Sequence, residues 1–213
     1  MAWNPYYLVV QSFFKLCFRE IFDGNVHGKE NIPKTGAFLT AANHASFLDP
    51  PFISAIINRS DMFYFARKTL MTSGLLGFIV KRINTIPVDR DAGSDITAIK
   101  KVFNLLKNGH GVVIFPEGAR SPDGEIHEAK PGIGLIACKS SVPVVPMRLF
   151  GTYEIWGRQR KWPSINVKAH IVVGHPLHSA IYDPGPEHKN RYQCATNRIM
   201  ESIKALQEPK QFP

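Results

Sequence analysis

The sequence predicts an α/β fold, a single domain in which a mostly parallel central sheet is flanked by helices. Short apolar runs of strand length alternate with segments of helical period, which is the order that builds parallel sheets. Some of these runs, such as residues 111–115, are continuously apolar, as strands covered on both faces are. The 213 residues, of which 44% are hydrophobic and 20% charged, suit one globular domain. We assign residues 25–213 to this domain and residues 1–24 to a helix that precedes it.

The first predicted element is an amphipathic helix over residues 3–22. Its apolar residues recur at helical spacing, and Gln11, Lys15 and Arg19 lie four apart on one side. Charged residues interrupt the run before it reaches the roughly 20 apolar residues that a spanning helix needs. We therefore predict a helix that lies on a membrane surface, the alternative being a first helix that packs in the core. The predicted membrane contacts on this helix are Trp3, Tyr6, Tyr7, Phe13, Phe14 and Phe18.

The next predicted elements bring a histidine and a carboxylate together. An apolar strand over residues 36–42 leads into His44, and a helix follows Asp49, with two prolines in the first turn, where proline is tolerated. Near neutral pH an imidazole accepts a proton well, and a nearby carboxylate holds its tautomer. The pair is therefore a candidate general base with its orienting partner. The alternative is a strand-end histidine beside an aspartate that caps its helix, and the two roles of Asp49 are compatible.

The middle and the end of the chain continue the alternation. Residues 62–66 and 84–88 are predicted strands, and residues 96–106 form a predicted helix with apolar side chains at helical spacing. The apolar run at 70–80 is interpreted as a buried helix, as one wall of an acyl-chain groove or as a segment that dips into lipid. Its predicted membrane contacts are Leu75, Leu76 and Phe78. The remaining predicted elements are a helix at 132–140, strands at 142–149 and 166–173, and a final helix at 192–206.

Three predicted strands end in polar side chains, which are His44 with Asp49, Asp89 with Arg90, and Glu117 with Arg120. Because the carboxyl ends of parallel strands meet at one edge of a sheet, we expect these groups to lie close together. The arginine fork holds phosphate oxygens, so Arg90 and Arg120 are candidate phosphate ligands, and Lys130 can add a point charge. Taken singly, each of these three has a surface ion pair or a solvated side chain as its alternative.

The formal net charge of +9 at pH 7 indicates an anionic partner, such as a membrane surface, a phosphorylated small molecule or a nucleic acid. The chain lacks the pattern of a nucleic-acid-binding module, so no nucleic acid partner is expected. Cations and tryptophans share one segment, which contains Trp156, Arg158, Arg160, Lys161 and Trp162. That composition suggests lipid headgroups or the phosphates of a carrier as its partner, the alternative being an exposed loop that binds nothing.

Several kinds of chemistry are not indicated. Cys17, Cys138 and Cys194 lie far apart and match neither a disulfide framework nor a metal site, which favours a reducing compartment and an active site on the cytoplasmic side. The histidines show no zinc spacing and a glycine-rich dinucleotide loop is missing, so no metal and no cofactor are expected. Since no serine stands in a nucleophile elbow and Cys138 is expected to be buried, the remaining nucleophile is a hydroxyl of the substrate.

Four stretches stand out, and they are NHASFLD at 43–49, IPVDR at 86–90, FPEGARS at 115–121 and VPVVP at 142–146. In this order they resemble the motifs of the glycerolipid acyltransferases, and most closely those of the 1-acyl-glycerol-3-phosphate acyltransferases. The resemblance implies that His44, assisted by Asp49, is the general base. It further implies that this base activates the 2-hydroxyl of a lysophosphatidate, which attacks the thioester of acyl-CoA or of an acyl carrier protein to give phosphatidate. The alternatives are another acceptor, such as a different lysophospholipid, glycerol 3-phosphate or a lyso aminolipid, and a lipid-binding module without catalysis.

The resemblance also implies binding roles. The implied acceptor-phosphate site consists of Arg90, Glu117, Gly118 and Arg120, with Glu117 supporting the loop. The implied wall of the acyl or acceptor pocket consists of Val142, Pro143, Val144, Val145 and Pro146. Two positions depart from the family, since Ala119 replaces a threonine and Arg148 replaces a small or apolar residue, and we interpret Arg148 as a further anion contact. A lipid acceptor and a lipid product imply a monotopic protein on an anionic membrane surface.

Overall fold

The structure, a computed structural model, describes residues 4–72, 74–89 and 95–209. The strands of this part of the chain are β1 Asn25–His27, β2 Phe38–Ala42, β3 Met62–Arg67, β4 Thr85–Val88, β5 Gly111–Ile114, β6 Val144–Phe150 and β7 His170–Val173. They form a single sheet in the order β1-β7-β6-β2-β5-β3-β4. Neighbouring strands are parallel throughout, except that β6 and β7 are antiparallel. The prediction of a mostly parallel sheet is confirmed.

The helices of the described residues are α1 Pro5–Leu16, α2 Asp49–Ile56, α3 Gly74–Arg82, α4 Ile96–Lys107, α5 Gly132–Ser140, α6 Thr152–Trp156, α7 Ser179–Tyr182 and α8 Arg191–Lys204. A π-helical turn, Cys17–Ile21, extends α1, and short 3₁₀ turns lie at Lys29–Asn31 and Lys68–Thr72. The sequence did not predict α6 and α7. They have five and four residues, too few for a hydrophobic period to develop.

Each face of the sheet carries a hydrophobic core. In β2, Phe38 and Ala42 face the core that α1 and α2 cover, whereas Leu39 and Ala41 face the core beneath α4, α5 and α8. Successive side chains of a strand point to opposite faces, so a strand in this position must be apolar on both sides. All five residues of β2 are buried, which explains its nearly continuous apolar sequence.

The first helix packs on the domain, and this corrects two predicted membrane contacts. Tyr7 and Phe18 are 3% and 4% exposed. The hydroxyl of Tyr7 accepts a hydrogen bond from Ser54 Oγ at 3.1 Å, and the ring of Phe18 packs against Phe52 with 5.1 Å between centroids. Phe14 is half-buried against the same core. The helix is apolar on most of its surface, so its periodicity does not identify which side the domain covers.

The other predicted membrane contacts divide into exposed and undescribed residues. Tyr6 and Phe13 on α1 are 54% and 59% exposed, and Phe78 on α3 is 49% exposed. Trp3 and the side chains of Leu75 and Leu76 lie outside the described residues. Within the described ranges, the structure contains no helix that is both long and apolar enough to cross a membrane.

Candidate active site

The predicted pair of His44 and Asp49 is in direct contact at the carboxyl end of β2. His44 follows the strand, Asp49 is the first residue of α2, and Nδ1 of the imidazole lies 2.8 Å from Oδ2 of the carboxylate. The backbone N–H groups of Ala45 and Ser46 donate to the same oxygen, each at 2.7 Å. Because an ionised carboxylate only accepts hydrogen bonds, Nδ1 carries the proton, and in the neutral imidazole the lone pair is on Nε2. This is the tautomer that a general base needs.

Asp49 stands at the start of α2, as predicted, but it does not cap that helix. Its carboxylate bonds to N–H groups that precede the helix, and α2 has no side-chain cap. Pro50 and Pro51 occupy the first turn and have no N–H for a cap to bind. The carboxylate is therefore committed to the imidazole and to the turn that leads away from it.

The pair is buried, and an aromatic ring covers one face of the imidazole. Asp49 is completely buried and His44 is 9% exposed. The imidazole stacks on the ring of Phe115, with 4.1 Å between centroids and 21° between planes. Stacking and burial together fix the ring orientation, and the low local polarity strengthens the contact between imidazole and carboxylate.

The loop after β5 holds the backbone of the candidate base. Glu117 Oε1 accepts the N–H of His44 at 2.9 Å, and Oε2 accepts the N–H of His127 at 3.2 Å. The N–H of Ser121 donates to the carbonyl oxygen of His44 at 2.7 Å. Burial raises the pKa of the Glu117 carboxyl, while the hydrogen bond from the His44 N–H acts in the opposite direction. The carboxylate of Glu117 thus links two loops instead of pointing at a substrate.

Gly118 permits the turn of the same loop. Its φ is +73°, in the left-handed region, and a Cβ at this position would lie 3.3 Å from Cδ of Lys130. The N–H of Lys130 donates to the carbonyl oxygen of Pro116 at 3.0 Å. The aliphatic part of Lys130 therefore lies across the glycine, and its side chain is exposed at the rim of the site.

Two clefts meet at His44. The first, which we call the apolar cleft, has a volume of about 260 Å³. Its lining is mainly aliphatic and aromatic, with Phe65, Val88, Ile99, Ile114, Ile133 and Ile136. The charged residues that also line it are Lys130, Asp89 and Asp95. The second, which we call the cationic cleft, has a volume of about 420 Å³ and contains three arginines, Arg67, Arg120 and Arg158. One imidazole therefore faces both a space suited to a hydrocarbon chain and a space suited to an anion.

Arg120 is the arginine of the cationic cleft that the sequence predicted. Its guanidinium carbon lies 3.4 Å from the ring centroid of Phe47. A cation–π contact of this kind helps to hold the guanidinium in the cationic cleft. Arg90, the other predicted phosphate ligand, lies outside the described residues, and its neighbour Asp89 pairs with Lys68 at 3.6 Å.

The sequence reasoning did not identify Arg67 and Arg158 as members of one cleft. Arg67 ends β3, which lies beside β5, so the rule that gathered the other strand-end residues also applies to it. Arg158 comes from the loop that follows α6, a helix that the sequence did not reveal. Its composition indicated only an anionic partner, and the fold brings that loop beside His44.

Two further predicted groups lie away from both clefts. The stretch 142–146, expected to form a pocket wall, is absent from the described linings of both clefts. Val144 and Val145 are fully buried in the cores on opposite faces of the sheet, and the carbonyl oxygens of Val142 and Pro143 accept hydrogen bonds from neighbouring elements. Arg148, interpreted as an anion contact, donates to the carbonyl oxygens of Lys204, the last residue of α8, and of Leu206. The Arg148 guanidinium thus binds carbonyl groups at the C-terminal end of α8, a common role of arginine.

Cys138 is buried, as predicted, and burial raises the pKa of its thiol to about 11. It is therefore protonated near neutral pH and unsuited to nucleophilic attack. Among the described residues, histidine, cysteine and carboxylate side chains form no group of three that could hold a metal ion.

Comparisons with known proteins give one consistent family. The family model described as Acyltransferase matches residues 23–149. A 1-acyl-sn-glycerol-3-phosphate acyltransferase of Bacillus subtilis is 31% identical over 85% of this chain and 87% of its own length. A chloroplastic 1-acyl-sn-glycerol-3-phosphate acyltransferase of Arabidopsis thaliana is 28% identical over 86% of this chain and 53% of its own length. The chain thus spans about half the length of this plant relative.

A solved structure agrees with the sequence relatives. It is the crystal structure of the 1-acyl-sn-glycerophosphate (LPA) acyltransferase PlsC from Thermotoga maritima, with a TM-score of 0.75 and 27% identity. The similarity covers 95% of this chain and 81% of that chain. The fold described above therefore matches that structure over nearly the whole of this chain.

Proposed function

This chain belongs to the Acyltransferase family, and from that premise we propose that it transfers a fatty acyl group from an acyl thioester to 1-acyl-glycerol 3-phosphate, giving phosphatidate. The donor is acyl-CoA or an acyl carrier protein. The observation that carries the proposal is the position of His44, between the apolar cleft and the cationic cleft. A lysophosphatidate has an acyl chain and a phosphate on either side of the hydroxyl that reacts, and the clefts offer matching surroundings in the same order.

The chemistry follows from the tautomer of His44. Nε2 removes the proton from the 2-hydroxyl of the acceptor while the hydroxyl oxygen attacks the thioester carbonyl carbon. Asp49 stabilises the imidazolium that forms. The tetrahedral intermediate then collapses, the carbon–sulfur bond breaks and the thiolate takes the proton from the imidazolium. The products are an ester and a free thiol, and no acyl group is attached to the protein at any step.

Contact with a membrane is part of the proposal, because acceptor and product are lipids. The described side chains that support it form an exposed apolar face on α1 and α3, and they are Tyr6, Val9, Phe13, Leu16 and Phe78. Asn4 joins the two helices, since its amide donates to the carbonyl oxygen of Arg82 at 2.7 Å. The guanidinium of Arg82 lies over the rings of both Phe78 and Tyr6, so a cation accompanies the apolar surface. We place the active site on the cytoplasmic side of that membrane.

A panel of acceptors and donors tests the reaction. We expect purified protein to release the carrier thiol from acyl-CoA or from an acyl carrier protein only when lysophosphatidate is present, with phosphatidate as the lipid product. Thiol detection and mass spectrometry of the lipid measure both products. Faster turnover with another lysophospholipid, with glycerol 3-phosphate or with a lyso aminolipid would replace the acceptor and keep the mechanism. No thiol release with any acceptor, despite binding of the lipids, would overturn the enzymatic proposal in favour of a lipid-binding module.

The role of the cationic cleft gives a separate prediction. Arg120→Ala removes a charge-assisted contact worth roughly 1.5–3 kcal/mol, so KM for lysophosphatidate should rise about 10- to 100-fold while kcat changes less. The measurement is steady-state kinetics with a short-chain acceptor below its micellar concentration.

The matched control for Arg120→Ala is a 1-acylglycerol, which has no phosphate, as the acceptor. The substitution should leave kcat/KM for this poor acceptor unchanged, because the lost contact involves the phosphate alone. An equal loss with both acceptors would show that Arg120 supports the loop and does not bind the phosphate.

A further inference from the structure

A segment away from the first helix presents a second exposed surface of mixed apolar and basic character. The segment 157–168, which we call the basic-aromatic loop, connects α6 to β7. Trp162 is 75% exposed and Ile165 is 65% exposed, whereas side chains of these types are usually mostly buried. The loop contains Arg158, Arg160, Lys161 and Lys168 and no acidic residue. Large apolar groups and cations therefore face solvent together.

The base of this loop is bonded to the active site. The carbonyl oxygen of Trp156 accepts the hydroxyl of Ser46 at 2.9 Å and the N–H of Phe47 at 3.3 Å. Gly157 forms a β-bridge with Ser46, and the amide of Gln159 donates to the carbonyl oxygen of Pro122 at 3.1 Å. The loop is thus anchored to the two residues that follow Ala45 in the His44 turn. These contacts hold the loop next to the turn that carries the candidate base.

The loop and the α3 region border the same opening. Arg158 lines the cationic cleft on one side, while Thr69 and Leu70 line it from the 3₁₀ turn that precedes α3. Phe47, which is 43% exposed, also lines that cleft. The exposed Phe78 of α3 belongs to the apolar face described above. A flat surface that covers both borders would therefore lie against the cationic cleft.

We propose that the basic-aromatic loop docks on a bilayer that contains anionic lipids, with Trp162 and Ile165 in the headgroup region and Arg160 and Lys161 beside lipid phosphates. This inference rests on the proposed function, in which the acceptor is a membrane lipid. Charge complementarity favours this occupant, because all charged residues of the loop are basic. The attraction of an anionic leaflet for a lysine or arginine near its surface contributes about 1 kcal/mol per residue. Tryptophan also prefers the membrane–water interface to either water or hydrocarbon. Docking on both borders aligns the cationic cleft with the headgroups.

Vesicle binding tests the proposal independently of catalysis. The probe is a set of vesicles of phosphatidylcholine with and without phosphatidylglycerol, and the readout is the fraction of protein that sediments with them. We expect Arg160→Ala combined with Lys161→Ala to weaken binding to the anionic vesicles by roughly 10- to 30-fold, since two cations are lost. Trp162→Ser combined with Ile165→Ser should weaken binding to both kinds of vesicle.

Controls come from exposed residues elsewhere on the chain. Ile181→Ser removes an apolar side chain of similar exposure on α7, and Lys107→Ala removes an exposed cation in the last turn of α4. Neither should change vesicle binding by more than about 2-fold. Thermal unfolding should be unaltered in all variants, because every substituted side chain is exposed.

Depth of insertion adds a second readout. Lipids brominated near the headgroup should quench the fluorescence of the unmodified protein more than that of Trp162→Phe, and the difference belongs to Trp162. Unchanged vesicle binding in both double variants, or equal quenching with and without Trp162, would overturn the proposal. So would normal vesicle binding accompanied by lost binding to an acidic acyl carrier protein, which would assign the loop to that partner. Failure of catalysis with a soluble acceptor would affect the proposed function and leave these vesicle results intact.

Discussion

His44→Ala should lower kcat for acyl transfer by about 10²- to 10⁴-fold while the protein stays folded. The substitution removes Nε2, the atom that would accept the proton of the attacking hydroxyl. The effect should appear in kcat and only weakly in KM, because in the proposed mechanism the imidazole acts on the hydroxyl, while the other residues of the two clefts hold the acyl chain and the phosphate. Single-turnover thiol release with saturating acceptor measures the chemical step.

His127→Ala is the matched control. That side chain is exposed, and its backbone N–H, which Glu117 binds, remains after substitution. Turnover should therefore stay within a few-fold of normal. His44→Asn provides a second test, because its amide can still donate to Asp49 and preserve the turn. Near-normal turnover in either folded His44 variant would discard the general-base mechanism.

Asp49→Asn should reduce kcat by about 10²- to 10⁴-fold with little change in structure. A single oxygen of Asp49, Oδ2, accepts from Nδ1 of His44 and from the N–H groups of Ala45 and Ser46. The carbonyl oxygen of asparagine can take that place, so the imidazole keeps its tautomer and position. The negative charge that stabilises the imidazolium is lost, and the barrier rises for that reason.

Asp49→Ala separates structure from charge. It leaves two buried N–H groups without an acceptor, at a cost of about 1–3 kcal/mol for each. We therefore expect lower activity together with a clearly lower free energy of unfolding, measured with urea. If Asp49→Asn retained normal kcat, the carboxylate would be a structural acceptor for the turn and nothing more.

The errors of the sequence reasoning have identifiable physical causes. A helix that is apolar on most sides, such as α1, leaves its covered side undefined, so Tyr7 and Phe18 were expected on a membrane and lie in the core. Val144 and Val145 occupy a strand with neighbours on both edges, where both faces are buried. Neither fact is local. Each depends on which elements the chain folds against these positions.

The sequence by itself determined the mostly parallel sheet, because continuous apolar strands alternating with helices are stable only when both faces are covered. It also predicted that His44, Glu117 and Arg120 share one edge, since each follows a strand of a sheet expected to be parallel, and in the structure β2 and β5 are adjacent parallel strands. Only the tertiary structure decided that Glu117 binds the backbone of His44 and that Arg67 and Arg158 join Arg120. It also decided that the basic-aromatic loop is tied to the turn after His44. These contacts join residues far apart in the chain, so no local periodicity encodes them.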